Sequence, residues 1–189
     1  MTNIRLFVLL LLSALILMEH PLRAQQQSVQ AVQPTGLDEV VNLDVRAGTA
    51  ADIPIAQLSC QPAASPESHF RIGQALRQLR KEGVLILGSG TAVHNLSTIG
   101  HYAEPPGWAV KFEQWLCDQV LSNSAQSLLQ YHTLIPEAAM SHPTPEHFLP
   151  LFVAIGAGSN DDGRFRGDCL HRSWSFGSIS MAAYSFADL

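Results

Sequence analysis

At 189 residues, with 47% of them hydrophobic and 14% charged, the chain can bury a full domain core and is too apolar to be mostly disordered. Its net charge is −5, and its 11 lysines and arginines do not cluster, which argues against a nucleic-acid partner. The three cysteines, Cys60, Cys117 and Cys169, are odd in number and lack metal-ligand spacing, so neither a disulfide framework nor a thiolate metal site is expected.

Arg5 precedes an apolar run at residues 6–18, and Leu22 and Ala24 follow in a more polar stretch. This pattern marks residues 1–24 as a signal-like segment with cleavage after Ala24. The run falls short of the about 20 apolar residues of a comfortable membrane span. An uncleaved anchor, or sequence wrongly joined to the gene, are the alternatives. Export or membrane association follows from the first readings, whereas unpaired cysteines fit a reducing compartment better. Residues 25–50 open on a glutamine-rich, non-periodic stretch and read as a disordered linker. The folded part is expected over residues 51–189.

After Asp52, residues 53–59 alternate apolar and polar side chains, which suits a strand. Ser65-Pro66-Glu67 is a helix start, with Ser65 as N-cap and Pro66 in first position. Ile72, Leu76 and Leu79 line one face of that helix, and Gly83 ends it. Val84, Leu85, Ile86 and Leu87 then form an unbroken apolar run between glycines, the signature of a strand buried on both faces. Strand, helix and buried strand make a βαβ unit and so a parallel pair. The expected fold is therefore α/β, a sandwich around a mixed, partly parallel sheet.

Gly88 and Gly90 let the chain turn just beyond that strand and deliver His94 and Asn95 where open α/β sheets place ligands. A histidine here suits a base or a metal ligand, or simply hydrogen-bonds within its loop. Trp108, Phe112, Trp115 and Leu116 recur at helical spacing and predict a helix over residues 107–121, with the aromatics in the core. Thr144-Pro145-Glu146 is a second helix start, with the helix running to Gly156 and Pro150 either kinking it or marking its true start. Residues 156–166 form a polar, glycine-rich connection, and residues 179–186 a final strand.

Of the eight histidines, His94 and His147 stand out by position. His147 lies in the expected first helical turn beside Glu146 and near His142. Spacing alone leaves open whether the two share a metal or serve apart. His69 reads as a surface or boundary residue, and His171 either lines a cleft or caps the last strand. Gly88-Ser89-Gly90 as a phosphate cradle is weak, because no lysine follows it.

The segment Gly88-Ser89-Gly90-Thr91-Ala92-Val93-His94-Asn95-Leu96 resembles the histidine loop of class III extradiol ring-cleavage dioxygenases, in the 4,5-DOPA dioxygenase branch. His142-Pro143-Thr144-Pro145-Glu146-His147-Phe148-Leu149-Pro150-Leu151 resembles that branch's second histidine motif. Ala51-Asp52-Ile53-Pro54 and the segment from Trp174 to Phe186 are similar to its flanking strands. The resemblance implies an oxidoreductase that inserts O₂ into a catechol-type ring beside its two hydroxyls. It implies a non-haem metal, Fe(II) for turnover or Zn(II). His94 then stands at the metal and works as the acid–base group, with His147 as the second metal-site histidine. Asn95, His171 and Trp174 fall at the substrate pocket, Asn95 also orienting the loop.

The family's N-terminal half carries a His-Gly-Ser-Pro loop and an early histidine, both metal ligands, and neither stands in this sequence. The chain therefore resembles the C-terminal part of the domain, with a weakly held metal and an incomplete sheet prone to association. Such a domain would work as a homo-oligomer or with a missing complementary half. The alternative is a truncated, non-catalytic remnant acting as a binding or structural half-domain.

Overall fold

The computed structural model describes residues 56–188, and from Pro62 onward they belong to one compact unit. The signal-like run, the glutamine-rich stretch and the opening of the expected first strand lie outside the described residues. Residues 56–59, the rest of that expected strand, carry no regular structure.

Helix α1 spans Pro66–Lys81. It begins as its sequence requires: the Ser65 hydroxyl accepts from the Ser68 amide at 3.3 Å, and Pro66 opens the first turn. The chain leaves the helix through Gly83 at φ +87°, a conformation that favours glycine. Replacing Ser65 by Ala removes one of the few acceptors for the first-turn amides. It is expected to lower unfolding stability by about 1 kcal/mol in urea melts, and an unchanged midpoint would mean that Pro66 alone sets the start. His69 is buried rather than at the surface, its Nδ1 2.9 Å from the Ser65 carbonyl.

Helix α2 spans Gly107–Leu121, as its aromatic spacing predicts, with Phe112, Leu116 and Val120 fully buried. Three short helices follow, α3 (Ala125–Leu129), α4 (Tyr131–Leu134) and α5 (Ala138–Ser141). They lead into α6, Leu149–Gly158. The expected start at Thr144 is too early. Pro150 has no amide to donate to Glu146, so the helix begins at Leu149 and residues 146–148 form a turn instead. Phe112, Tyr131, Phe148 and Phe152 pack edge to face or stacked, with centroids 4.7–6.5 Å apart, and make the aromatic centre of the core. On its other side α6 crosses α1 at two glycines, Gly73 and Gly156, where backbone meets backbone.

The expected mixed, partly parallel sheet is not what forms. The described strands make two small antiparallel sheets, so the fold is α/β without a parallel pair. Strand β1 (Arg166–His171) pairs with β4 (Ala183–Ala187), and β2 (Trp174–Ser175) pairs with β3 (Ile179–Ser180). The single final strand expected over residues 179–186 is thus split between both sheets. The run at residues 84–87 is irregular, with Val84, Leu85 and Leu87 exposed by 42%, 52% and 51%. A strand buried on both faces needs a paired strand beside it and a layer on each side. Among the described residues nothing supplies them.

Arg172, in the turn between β1 and β2, grips the buried Glu113 carboxylate of α2 with both Nε (2.7 Å) and Nη2, and also reaches Gln114. That fork fixes the antiparallel strands on the helical layer. No helix among the described residues is long and apolar enough to cross a membrane. Cys117 and Cys169 are free thiols.

Candidate active site: two stacked imidazoles

The loop after the exposed apolar run turns inward, and Thr91 through Asn95 are buried. Backbone bonds stitch it to the segment before α6. The Thr91 amide donates to the His147 carbonyl and the His94 amide to the Ser141 carbonyl, each at 2.9 Å. On its far side Val93 bridges Ser180 of β3, and Ser180 in turn pairs with Trp174 of β2. Asn95 spends its side chain locally. Its amide donates to the Met140 carbonyl at 2.7 Å, while its oxygen accepts from the Ser97 amide and hydroxyl.

These bonds bring His94 and His147 together. Their rings stack with centroids 3.9 Å apart and planes 23° from parallel. Burial first, then the neighbouring His147, lowers the His94 pKa, against a smaller raising effect of Glu146. His94 is therefore a neutral imidazole near pH 7, with one nitrogen able to accept a proton or bind a metal. Burial pushes the Glu146 carboxyl up, but the Thr144 hydroxyl, its own amide and the two imidazoles outweigh this and hold it below its usual value. Its Oε1 lies 4.0 Å from His147 Nε2. The His147 side chain is half-exposed, so the pair opens to solvent on that side.

His171 sits on exposed β1 and bonds the Ser173 hydroxyl at 2.7 Å through Nε2. Trp174 is half-buried and pairs with Ser180 of β3, which in turn bridges Val93 of the His94 loop. Behind the pair lies His142, which the sequence marked only as a neighbour of His147. It is fully enclosed, stacks on Phe148 at 4.3 Å, and its Nε2–H donates to the Ala92 carbonyl at 2.8 Å. Its motif His142-Pro143-Thr144-Pro145 was visible, but its inward direction depends on a partner fifty positions away.

A near-parallel stack sets the in-plane nitrogen lone pairs side by side, so the two imidazoles flank one small region but do not by themselves converge on an ion. The set stops there. Among the described residues no group of three or more His, Cys, Asp or Glu could hold a metal ion. Sites that keep positions open for chemistry usually have three protein ligands, so these residues do not make a complete metal centre.

Loop, histidine pair and fold together define part of an aromatic ring-opening dioxygenase domain. Residues 41–187 match the family described as the catalytic LigB subunit of aromatic ring-opening dioxygenase, and the chain belongs to that class III extradiol family. It is 41% identical over 141 residues to the 4,5-DOPA dioxygenase extradiol of Portulaca grandiflora, covering 74% of this chain and 51% of that protein. To the protein of the same name from Beta vulgaris it is 38% identical over 137 residues, covering 72% and 50%. A crystal structure of an uncharacterized Escherichia coli K12 protein superposes with a TM-score of 0.62 at 32% identity, covering 70% of this chain and 55% of that one. The chain thus spans about half the length of these relatives.

Proposed function

We infer that this chain supplies the His94–His147 part of an extradiol ring-cleavage site for a catechol-type substrate, with O₂ as co-substrate. The stacked pair, 3.9 Å apart and formed by two motifs 53 positions apart in sequence (147 − 94), carries this reading. Within it the chain's own work is proton handling and positioning. A neutral His94 can take the proton of a catechol hydroxyl, a step general-base catalysis makes worth roughly 10²–10⁴-fold in rate. The open side beside His147 is the approach for the ring, with Asn95, His171 and Trp174 proposed at its pocket. The non-haem Fe(II) or Zn(II) that family membership implies supplies binding of catecholate and O₂ when bound. Two imidazoles hold such an ion weakly, and a working centre needs further donors beside them.

The short donor set favours a second reading, a non-catalytic half-domain that binds or scaffolds. Zinc titration by calorimetry, paired with oxygen uptake in Fe(II) and catechol, separates the two. Weak zinc binding is expected, reduced about tenfold or more by His94→Ala or by His147→Ala, with uptake near background for the chain alone. Zinc binding indifferent to both substitutions removes the site. Robust ring cleavage by the purified chain, abolished by His94→Ala, overturns the incomplete-site argument.

A further inference from the structure

A second set of titratable side chains lies where β1 runs along α2. One end of that contact is at Gly167, where an added Cβ would stand 2.4 Å from the Val120 carbonyl oxygen, so strand and helix meet at their backbones. The Gly167 amide also donates to Asn123 Oδ1, just past the helix, at 2.9 Å. The other end is the Arg172 fork on Glu113. Strand and helix therefore run in opposite directions, held at both ends. Between the two anchors Cys169 of β1 falls against Cys117 of α2, and their thiols are in hydrogen-bonding contact. Both thiols are free. Cys117 is buried, whereas Cys169 is half-buried, with its Sγ 3.8 Å from the His171 carbonyl oxygen.

We propose that Cys117 and Cys169 are an oxidation site, which hydrogen peroxide converts to a disulfide that staples the β1–β4 sheet to α2. Two cysteines can be bridged without moving the backbone only where their Cα atoms lie within about 7 Å, and the anchors on either side hold helix and strand in contact. The half-buried Cys169 is the sulfur that peroxide reaches. Its thiolate attacks the O–O bond. One oxygen stays on sulfur as a sulfenic acid, and the other leaves as hydroxide and takes up the thiol's proton as water. The Cys117 sulfur then displaces hydroxide from the Cys169 sulfur, and with the Cys117 proton this makes the second water. The pair thus gives up two hydrogens and two electrons, and one peroxide becomes two waters. Burial first, then the Cys117 thiol, pushes the Cys169 thiol up to about 12 against the pull of Arg172, so the thiolate is scarce at neutral pH. The bond is accordingly a slow, lasting staple and not a rapid sensor. Neither step uses the imidazole pair, so the staple forms whether or not the domain cleaves rings.

The test exposes the native 189-residue chain to hydrogen peroxide, blocks the remaining thiols with N-ethylmaleimide and maps its peptides by mass spectrometry without reduction. The expected product is a monomer cross-linked between Cys117 and Cys169 and lighter by two hydrogens. In urea the oxidised chain should unfold with an equilibrium constant about 30-fold or more below that of the reduced chain, and dithiothreitol should reverse the gain. Cys169→Ser should show neither the cross-link nor the gain while keeping the helical circular dichroism. Mapping of the unsubstituted chain decides the matter even where that variant fails to fold. Thiols that stay intact in the folded chain overturn the proposal, as does Cys169 oxidised to sulfinic acid with no cross-link. So does a cross-link that forms only in urea, that joins either cysteine to Cys60 instead, or that leaves stability unchanged or lower.

Discussion

Gly156→Ala should cost about 1–2 kcal/mol of unfolding stability, although alanine is the better helix former. A Cβ built on Gly156 of α6 would lie 2.0 Å from the Phe70 carbonyl oxygen and 3.0 Å from the Gln74 nitrogen of α1. The reciprocal contact is as tight, since a Cβ on Gly73 would stand 2.1 Å from the Val153 oxygen and 2.7 Å from the Ala157 nitrogen. The atoms in the way are backbone, so no side chain can swing aside and the helices must separate. Overpacking of this kind costs about 1–3 kcal/mol and sometimes more, against the roughly 1 kcal/mol that alanine returns through helix propensity. Separation would also loosen the contact behind residues 149–158, whose N-terminal turn follows His147. Urea denaturation followed by circular dichroism measures the loss. An equal or higher midpoint for Gly156→Ala would show that the two helices do not meet at their backbones.

That crossing also shows where sequence reasoning reaches its limit. The start of α1 at Ser65-Pro66 and the extent of α2 follow from signals within one or two turns, and both stand as read. Gly73 and Gly156 carry no such local signal, because their meaning lies in what approaches them from another helix. The burial of His69 and His142 was hidden for the same reason. The run at 84–87 failed in the opposite direction: its composition is that of a buried strand, but burial belongs to a pair of strands and two covering layers. Without a parallel partner the strands that do form join neighbours close in sequence, and those pair antiparallel. His94 and His147 were paired by the resemblance of two motifs, since their spacing could not show that they meet. Glu146 was seen beside His147, but its pull on the pair became visible only once the rings were in place.

Acid should weaken this fold well before its carboxylates titrate, and His142 is the main cause. Complete burial lowers its pKa to about 3; the bond to Ala92 opposes that, while His94, His147 and His132 add to it. In the unfolded chain the same imidazole titrates near 6.5. Between these values the unfolded state holds a proton that the folded state refuses, so stability rises with pH across the window and is lost as pH falls below about 6.5. One such group gives a slope approaching 1.4 kcal/mol per pH unit, or about 2 kcal/mol between pH 6.5 and 5. His94 and His132, also lowered by burial, add smaller losses of the same sign. His142→Gln keeps an amide that can donate to Ala92 but cannot take up the proton. Its stability at pH 7 should be somewhat lower, from imperfect packing on Phe148, yet its decline between pH 6.5 and 5 should be markedly shallower. Urea midpoints for both proteins at pH 5, 6 and 7 decide the matter, and parallel declines would place the acid sensitivity elsewhere. Protonation adds its proton at Nδ1 and leaves the Nε2–H bond to Ala92 in place, so the loss comes from burying a charge. Because His142 anchors Ala92 two residues before His94, unfolding around it takes with it the loop that presents the imidazole pair. The His94–His147 stack and the fold should therefore fail together as the pH falls.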